Sequence, residues 1–162
     1  LQKKTCSKGI QYRLTLGLNR FRYSRAGGFM SGTTADAIDQ WHNMMATGSY
    51  DGLQDLLSRD CVFWSPVVHT PQQGRDITLM YLTAAGQVFD TDFRYVREVR
   101  SGDTAVLEFE CNVDDIQVNG IDMIQVKNNQ IVDFKVMIRP LKAVNKIHEK
   151  MMAMLAQAKA AS

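Results

Sequence analysis

Asp122 is the residue in this chain best placed to do chemistry. It lies in a segment of alternating character, Ile116, Val118, Gly120, Asp122, Ile124 and Val126, whose other members are apolar or glycine. The segment before it alternates as well, with Leu107, Phe109, Cys111 and Val113 on one side and Glu108, Glu110 and Asn112 on the other. A two-residue turn at Asp114-Asp115 sets Val113 opposite Ile116 and Leu107 opposite Asp122, which merges the apolar sides into one face. Asp122 is then a carboxylate on a core-facing surface. Burial without a partner is costly for a charged group, so such a carboxyl is paired, neutralised or used. The chemistry it suits is acid/base work with a raised pKa.

Other side chains can join it. Trp41, Tyr81 and Tyr95 are candidate hydrogen-bond donors or stacking walls. Phe63, Ser65 and Phe109 are inward-facing candidates for contact with a bound molecule. His69, in the two-proline loop PVVHTPQQG at 66–74, is a candidate proton carrier at a cavity mouth. His42 follows Trp41 directly and so points elsewhere, and His148 reads as solvated surface. There is no HxxxH, no CxxC and no carboxylate cluster at ligand spacing, so neither metal nor cofactor is expected. No serine or cysteine sits in a nucleophile motif, and no glycine-rich phosphate loop is present.

These residues need a scaffold, and 162 residues with 45% hydrophobic and 22% charged side chains suit a globular core. No apolar run reaches membrane-spanning length. The net charge of +2 is unevenly spread. Residues 1–29 hold seven basic and no acidic groups, leaving twelve basic against seventeen acidic beyond them. Three readings of this tail stand: an organelle transit peptide, a basic arm for nucleic acid or lipid, or no functional part of a chain whose folded body starts at Met30. The body itself is expected to be cytoplasmic and to bind neither nucleic acid nor membrane, with organelle targeting the alternative if the tail is a genuine leader. Cys6, Cys61 and Cys111 are too widely spaced for a redox motif, and the last two read as buried thiols.

The periodicity predicts a helix over 34–47 capped by Thr33 or Thr34. A short helix follows, capped by Ser49 or Asp51 and carrying Leu53, Leu56 and Leu57. A strand over 61–65 stops at Pro66, and Asp76 caps a third helix. Four strands follow at about 93–100, 103–113, 116–127 and 130–138, with turns at Ser101-Gly102 and Asn128-Asn129. Pro140 opens a last helix with the stripe Leu141, Val144, Ile147 or His148, Met151 and Leu155. Helices segregated from an antiparallel meander make an α+β fold. The expected inward positions on the last strand are Val132, Phe134, Val136 and Ile138. Ile121, Met123, Ile131 and Met137 then form an apolar outer face, which predicts a homodimer unless the last helix covers it.

The run Trp41–Val67 resembles the opening of nuclear transport factor 2-like domains, on Gly48, Asp51, Leu56, Leu57, Asp60 and Pro66. Val106–Pro140 resembles the last three strands of the polyketide-cyclase-like (SnoaL-like) branch, ending in VMIRPL before a helix. The resemblance spans about 34–158. It implies a cone-shaped barrel of curved, mostly antiparallel sheet wrapped by helices, with an internal hydrophobic pocket for a small apolar molecule. On this fold, ketosteroid isomerase works with an aspartate base and two donors, a tyrosine and a protonated aspartate. Its first-helix and first-strand segments can be laid on this chain without a gap; the tyrosine then falls on Trp41, the base on Ser65, and the protonated aspartate on Asp122. Trp41 keeps an N–H, but Ser65 is a poor base, so that mechanism is not carried over. The limonene-epoxide-hydrolase branch bridges two aspartates with an arginine, and its arginine position is Gly120 here. Two classes stay open: an isomerase, cyclase or hydrolase for an apolar ring-containing substrate, or a non-catalytic binding or interaction domain.

Overall fold

A computed structural model describes residues 34–89 and 91–160. The basic segment 1–29, the start at Met30 and the Thr33 cap lie outside the described residues. The order is α1 (Thr34–Thr47), α2 (Leu53–Leu56), β1 (Leu57–Trp64), β2 (Gln72–Gln73), α3 (Arg75–Val88), β3 (Thr91–Ser101), β4 (Thr104–Val113), β5 (Ile116–Lys127), β6 (Gln130–Arg139) and α4 (Leu141–Ala160). The strands form one sheet in the order β2-β1-β6-β5-β4-β3. It is antiparallel except for β1 against β6, and it stays open instead of closing into a barrel. The helices pack on one side of it, as an α+β cone requires. Among the described residues no helix is long and apolar enough to cross a membrane.

The β4–β5 hairpin has the register its alternation dictates. Val113 faces Ile116 and Leu107 faces Asp122. Every second residue of β4, from Ala105 to Val113, is buried. Asn128 and Asn129 both take left-handed φ, 52° and 60°. That is the geometry of a tight hairpin turn, and asparagine tolerates it well.

Several local expectations are corrected. Neither Ser49 nor Asp51 caps α2. The Ser49 hydroxyl donates to the Asp51 carboxylate instead, and Gly52 occupies the cap position with a φ of 85°. Asp76 does not cap α3 either: Gly74 does, and Asp76 lies in the first turn, where a negative charge suits the helix dipole. Leu57 leaves the helix and begins β1, four residues earlier than expected. The 66–74 loop contains the short strand β2, which pairs with Val62 and Phe63.

Two apolar assignments also change. On β6, Phe134 pairs with Ile124 and Asp133 with Gln125, but the next partner of β5, Val126, is Ile131. Val132 is the extra residue of a β-bulge, which turns Ile131 into the core, fully buried, and leaves Val132 only half-buried. On α4 the buried stripe is Ala143, Ile147 and Met151, while Leu141 is 74% exposed. The Pro140 carbonyl accepts the N–H groups of Ala143 and Val144, so Pro140 stands just ahead of the first turn. Leu141 at that turn therefore faces away from the sheet.

Candidate functional site

Asp122 is 5% exposed and stands between Leu107 on β4 and Val136 on β6. The register of the hairpin brings it to the inner face. Tyr95 on β3 supplies its partner: the phenol donates to Asp122 Oδ2 at 2.6 Å. Trp41, from the buried face of α1, donates its indole N–H to the Tyr95 oxygen at 2.7 Å. The three side chains form a one-directional relay, indole to phenol to carboxylate, that ends on Asp122.

The electrostatics follow from this placement. Burial pushes the Asp122 carboxyl up to about 7, while the hydrogen bond from Tyr95 favours its charged form and pulls the other way. The same desolvation, with the Asp122 charge added, holds the Tyr95 phenol well above its ordinary value. Cys111 shares this inner face and is pushed up to about 12, by burial first and by Asp122 second. Its thiol is an inert packing group. Cys61 is likewise buried and raised.

Beside Asp122 lies a cavity with about 60 Å³ of free space. Trp41, Phe63, Ser65, Tyr81, Phe109 and Asp122 all reach it, so six of the eight candidate residues from the sequence are brought together. Tyr95 stands behind Asp122, as its hydrogen-bond partner. His69 is not brought there. It is exposed in the loop before β2 and is absent from the cavity walls.

The roles differ from those expected in two respects. Trp41's N–H is engaged by Tyr95, so Trp41 offers the cavity its ring, which stacks edge-on against Phe134 at 5.0 Å. Ser65 Oγ accepts the N–H groups of Val67 and Val68, at 3.2 and 3.3 Å, and so shapes the turn after β1. Among the described residues its own proton has no acceptor, which leaves it a donor toward the cavity and not a base.

Sequence reasoning missed Tyr50, Met45, Phe89, Phe93, Ile147 and Met151, which also line the cavity. Ile147 and Met151 lay on the predicted helical stripe, so α4 could have been placed on the inner side. Tyr50, between Gly48 and Gly52, reads in sequence as part of a turn. Gly120 explains why no arginine stands at its position. A Cβ there would come within 2.4 Å of the Phe109 ring and 2.7 Å of the Met137 carbonyl oxygen.

Comparison with known proteins adds to this geometry. Residues 38–134 match the model of the SnoaL-like domain. Among solved structures, the chain is similar to a steroid delta-isomerase from Pseudomonas aeruginosa, with 38% identity and a TM-score of 0.76. That alignment covers 78% of this chain and 94% of the other. A protein from Silicibacter pomeroyi, described as uncharacterized, conserved in bacteria and cystatin-like in fold, is 33% identical. Its TM-score is 0.68, over 72% of this chain and 83% of that one. A putative polyketide cyclase from Sinorhizobium meliloti shares the fold, at 15% identity and a TM-score of 0.54, over 63% of this chain and 94% of that one. No curated protein matches this chain.

Proposed function

This chain belongs to the SnoaL-like domain family, and we propose that it is a proton-transfer enzyme for a small, neutral, mostly apolar ring compound, with Asp122 as the acid/base. The observation that carries this reading is the Asp122 carboxyl itself. It is buried at a cavity wall with one oxygen fixed by Tyr95, and its pKa is pushed up to about 7. A group half-ionised near neutrality can both accept and return a proton. An isomerisation that moves a double bond along a ring needs no more than that. The base takes a proton from the carbon next to a carbonyl, the electron pair moves toward the carbonyl oxygen, and the proton returns at a different carbon.

The similarity to a steroid delta-isomerase supports an isomerisation over a cyclisation or hydrolysis. The catalytic groups are nevertheless this chain's own. Ser65 has no basic atom to offer, so the proton-accepting role falls to Asp122. Phe63, Tyr81, Phe109 and the Trp41 ring supply flat apolar walls.

A second reading is a binding domain without chemistry. It is favoured by the relay, in which the Trp41 and Tyr95 protons are spent inside the protein and do not face a ligand. The two readings separate on a β,γ-unsaturated cyclohexenone incubated with the protein in heavy water. The enzyme reading expects the conjugated isomer, seen by its ultraviolet absorbance, with deuterium incorporated, and a loss of about a hundredfold or more in Asp122→Asn. Conversion no faster than in buffer would retire the enzyme reading and leave the binding one.

A further inference from the structure

Tyr50 lines the cavity, yet the relay and the proton transfer do not use it. It stands in the link between α1 and α2, between Gly48 and Gly52, whose φ values of 67° and 85° are left-handed. Its ring lies across α3 at Gly86. A Cβ on Gly86 would stand 2.0 Å from the Tyr50 hydroxyl oxygen and 2.4 Å from Cζ. A glycine inside a helix weakens it, and the Gly86 backbone has no left-handed φ that would require one. What this glycine supplies is room for a phenol.

The phenol is poorly satisfied where it rests. Its hydrogen bond goes to the Met45 thioether sulfur at 3.8 Å, a weak acceptor. The ring is half-buried against the core, and it lines the same cavity as Asp122. A half-buried donor whose acceptor is a thioether has hydrogen-bonding capacity to spare.

Size adds a second constraint. About 60 Å³ of free space is well below the roughly 150 Å³ of a cavity that takes up benzene. A ring compound fully enclosed beside Asp122 would need more room than this. Tyr50 stands on a turn between two left-handed glycines, and among the described residues its hydroxyl is held by the Met45 sulfur alone.

We propose that Tyr50 is the specificity-determining residue of this site: it swings off Gly86 to admit a ring and donates its hydroxyl to an acceptor oxygen on that ring. The ligand class is a neutral aromatic or alicyclic ring bearing a carbonyl oxygen. The proposal rests on reading the cavity as a ligand site.

The test uses the full chain and two probes of similar shape, acetophenone and ethylbenzene, titrated by methyl NMR of Met45 and Met151, which line the cavity. Tyr50→Phe is expected to weaken acetophenone about five- to tenfold, the loss of one hydrogen bond, and to leave ethylbenzene within about twofold. Gly86→Ala is expected to shift the Met45 resonance without ligand and not to weaken acetophenone, because the phenol then already stands off position 86; a weakening equal to that of Tyr50→Phe would overturn the swing. If both probes bind wild type and Tyr50→Phe weakens neither, or both equally, the Tyr50 assignment is overturned and the ligand site stands. If neither probe moves the Met45 or Met151 resonances of any variant, the ligand-site reading falls and the Tyr50 assignment with it.

Discussion

The Tyr95 hydroxyl reaches over β4 to donate to Oδ2 of Asp122, joining β3 to a strand that is not its neighbour in the sheet. Tyr95 lies opposite Phe109, and Asp122 lies opposite Leu107. The bond therefore runs diagonally across the inner face and is shielded by apolar groups. Hydrogen bonds to charged groups in such surroundings are worth more than their counterparts in water.

Removing that phenol should raise the Asp122 pKa above its present value of about 7, because the group that stabilises its charged form is gone. Tyr95→Phe also strands the Trp41 N–H in the core, at a cost of about 1–3 kcal/mol. A carboxyl-resolved NMR titration and a urea denaturation series on this variant check both effects. A lowered Asp122 pKa, or unchanged stability, would contradict the relay.

Wild-type stability should fall as pH rises between about 4 and about 7. The folded chain keeps Asp122 protonated up to about 7, whereas an unfolded chain ionises it near its ordinary 3.8. The folded state binds the extra proton between these values, so this contribution is complete below the lower one and lost as pH rises through the upper one. Its size is on the order of 4 kcal/mol at most. Urea midpoints measured across this range for wild type and Asp122→Asn should diverge, with the variant lacking this decline.

Asp122→Asn should itself leave the protein at pH 7 at least as stable as wild type, since the amide oxygen still accepts from Tyr95 and the cost of ionising a buried carboxyl is gone. Turnover of the cyclohexenone should disappear. A variant destabilised by about 3 kcal/mol that keeps its turnover would make Asp122 a structural acceptor only.

Gly120→Ala should destabilise the fold by about 1–3 kcal/mol. The added methyl meets the Phe109 ring at 2.4 Å and a backbone oxygen that cannot retreat. Thermal unfolding measures it, and a neutral result would mean that Phe109 has room to turn.

The outer face should hold a second copy of the chain. Val99 and Met137 are 59% and 51% exposed there, and α4 cannot cover them because its Ile147 and Met151 face the inner cavity. Sedimentation at micromolar concentration is expected to show a dimer, and Met137→Glu a monomer. A wild-type monomer would remove this surface as an interface.

The sequence made the hairpin and its buried carboxylate legible because a period of two over ten residues has one solution. It concealed what depended on breaks in that period. The bulge at Val132 reverses the facing of Ile131, and nothing in a run of apolar residues marks which one is extra. Gly52 and Gly74 took cap positions that Ser49, Asp51 and Asp76 were chemically able to fill, because backbone conformation and not side-chain bonding decided those starts. Tyr50 was hidden for the same reason, in a turn whose sequence carries no sign of the helix it lies against. His69 had the right chemistry, but its loop keeps it in solvent.

The parallel pairing of β1 with β6 has a consequence for how the chain assembles. Phe63 meets Phe134 across that seam, with α3 and four strands between them in sequence. On a ribosome, β1 emerges long before its partner exists and must wait with one edge open. The meander β3–β6 has only neighbouring contacts to make and can form alone. The inner cavity has Phe63 on one flank and Phe109 and Asp122 on the other. It is therefore complete only when residues far apart in sequence have met, and closure over non-local contacts of this kind slows folding.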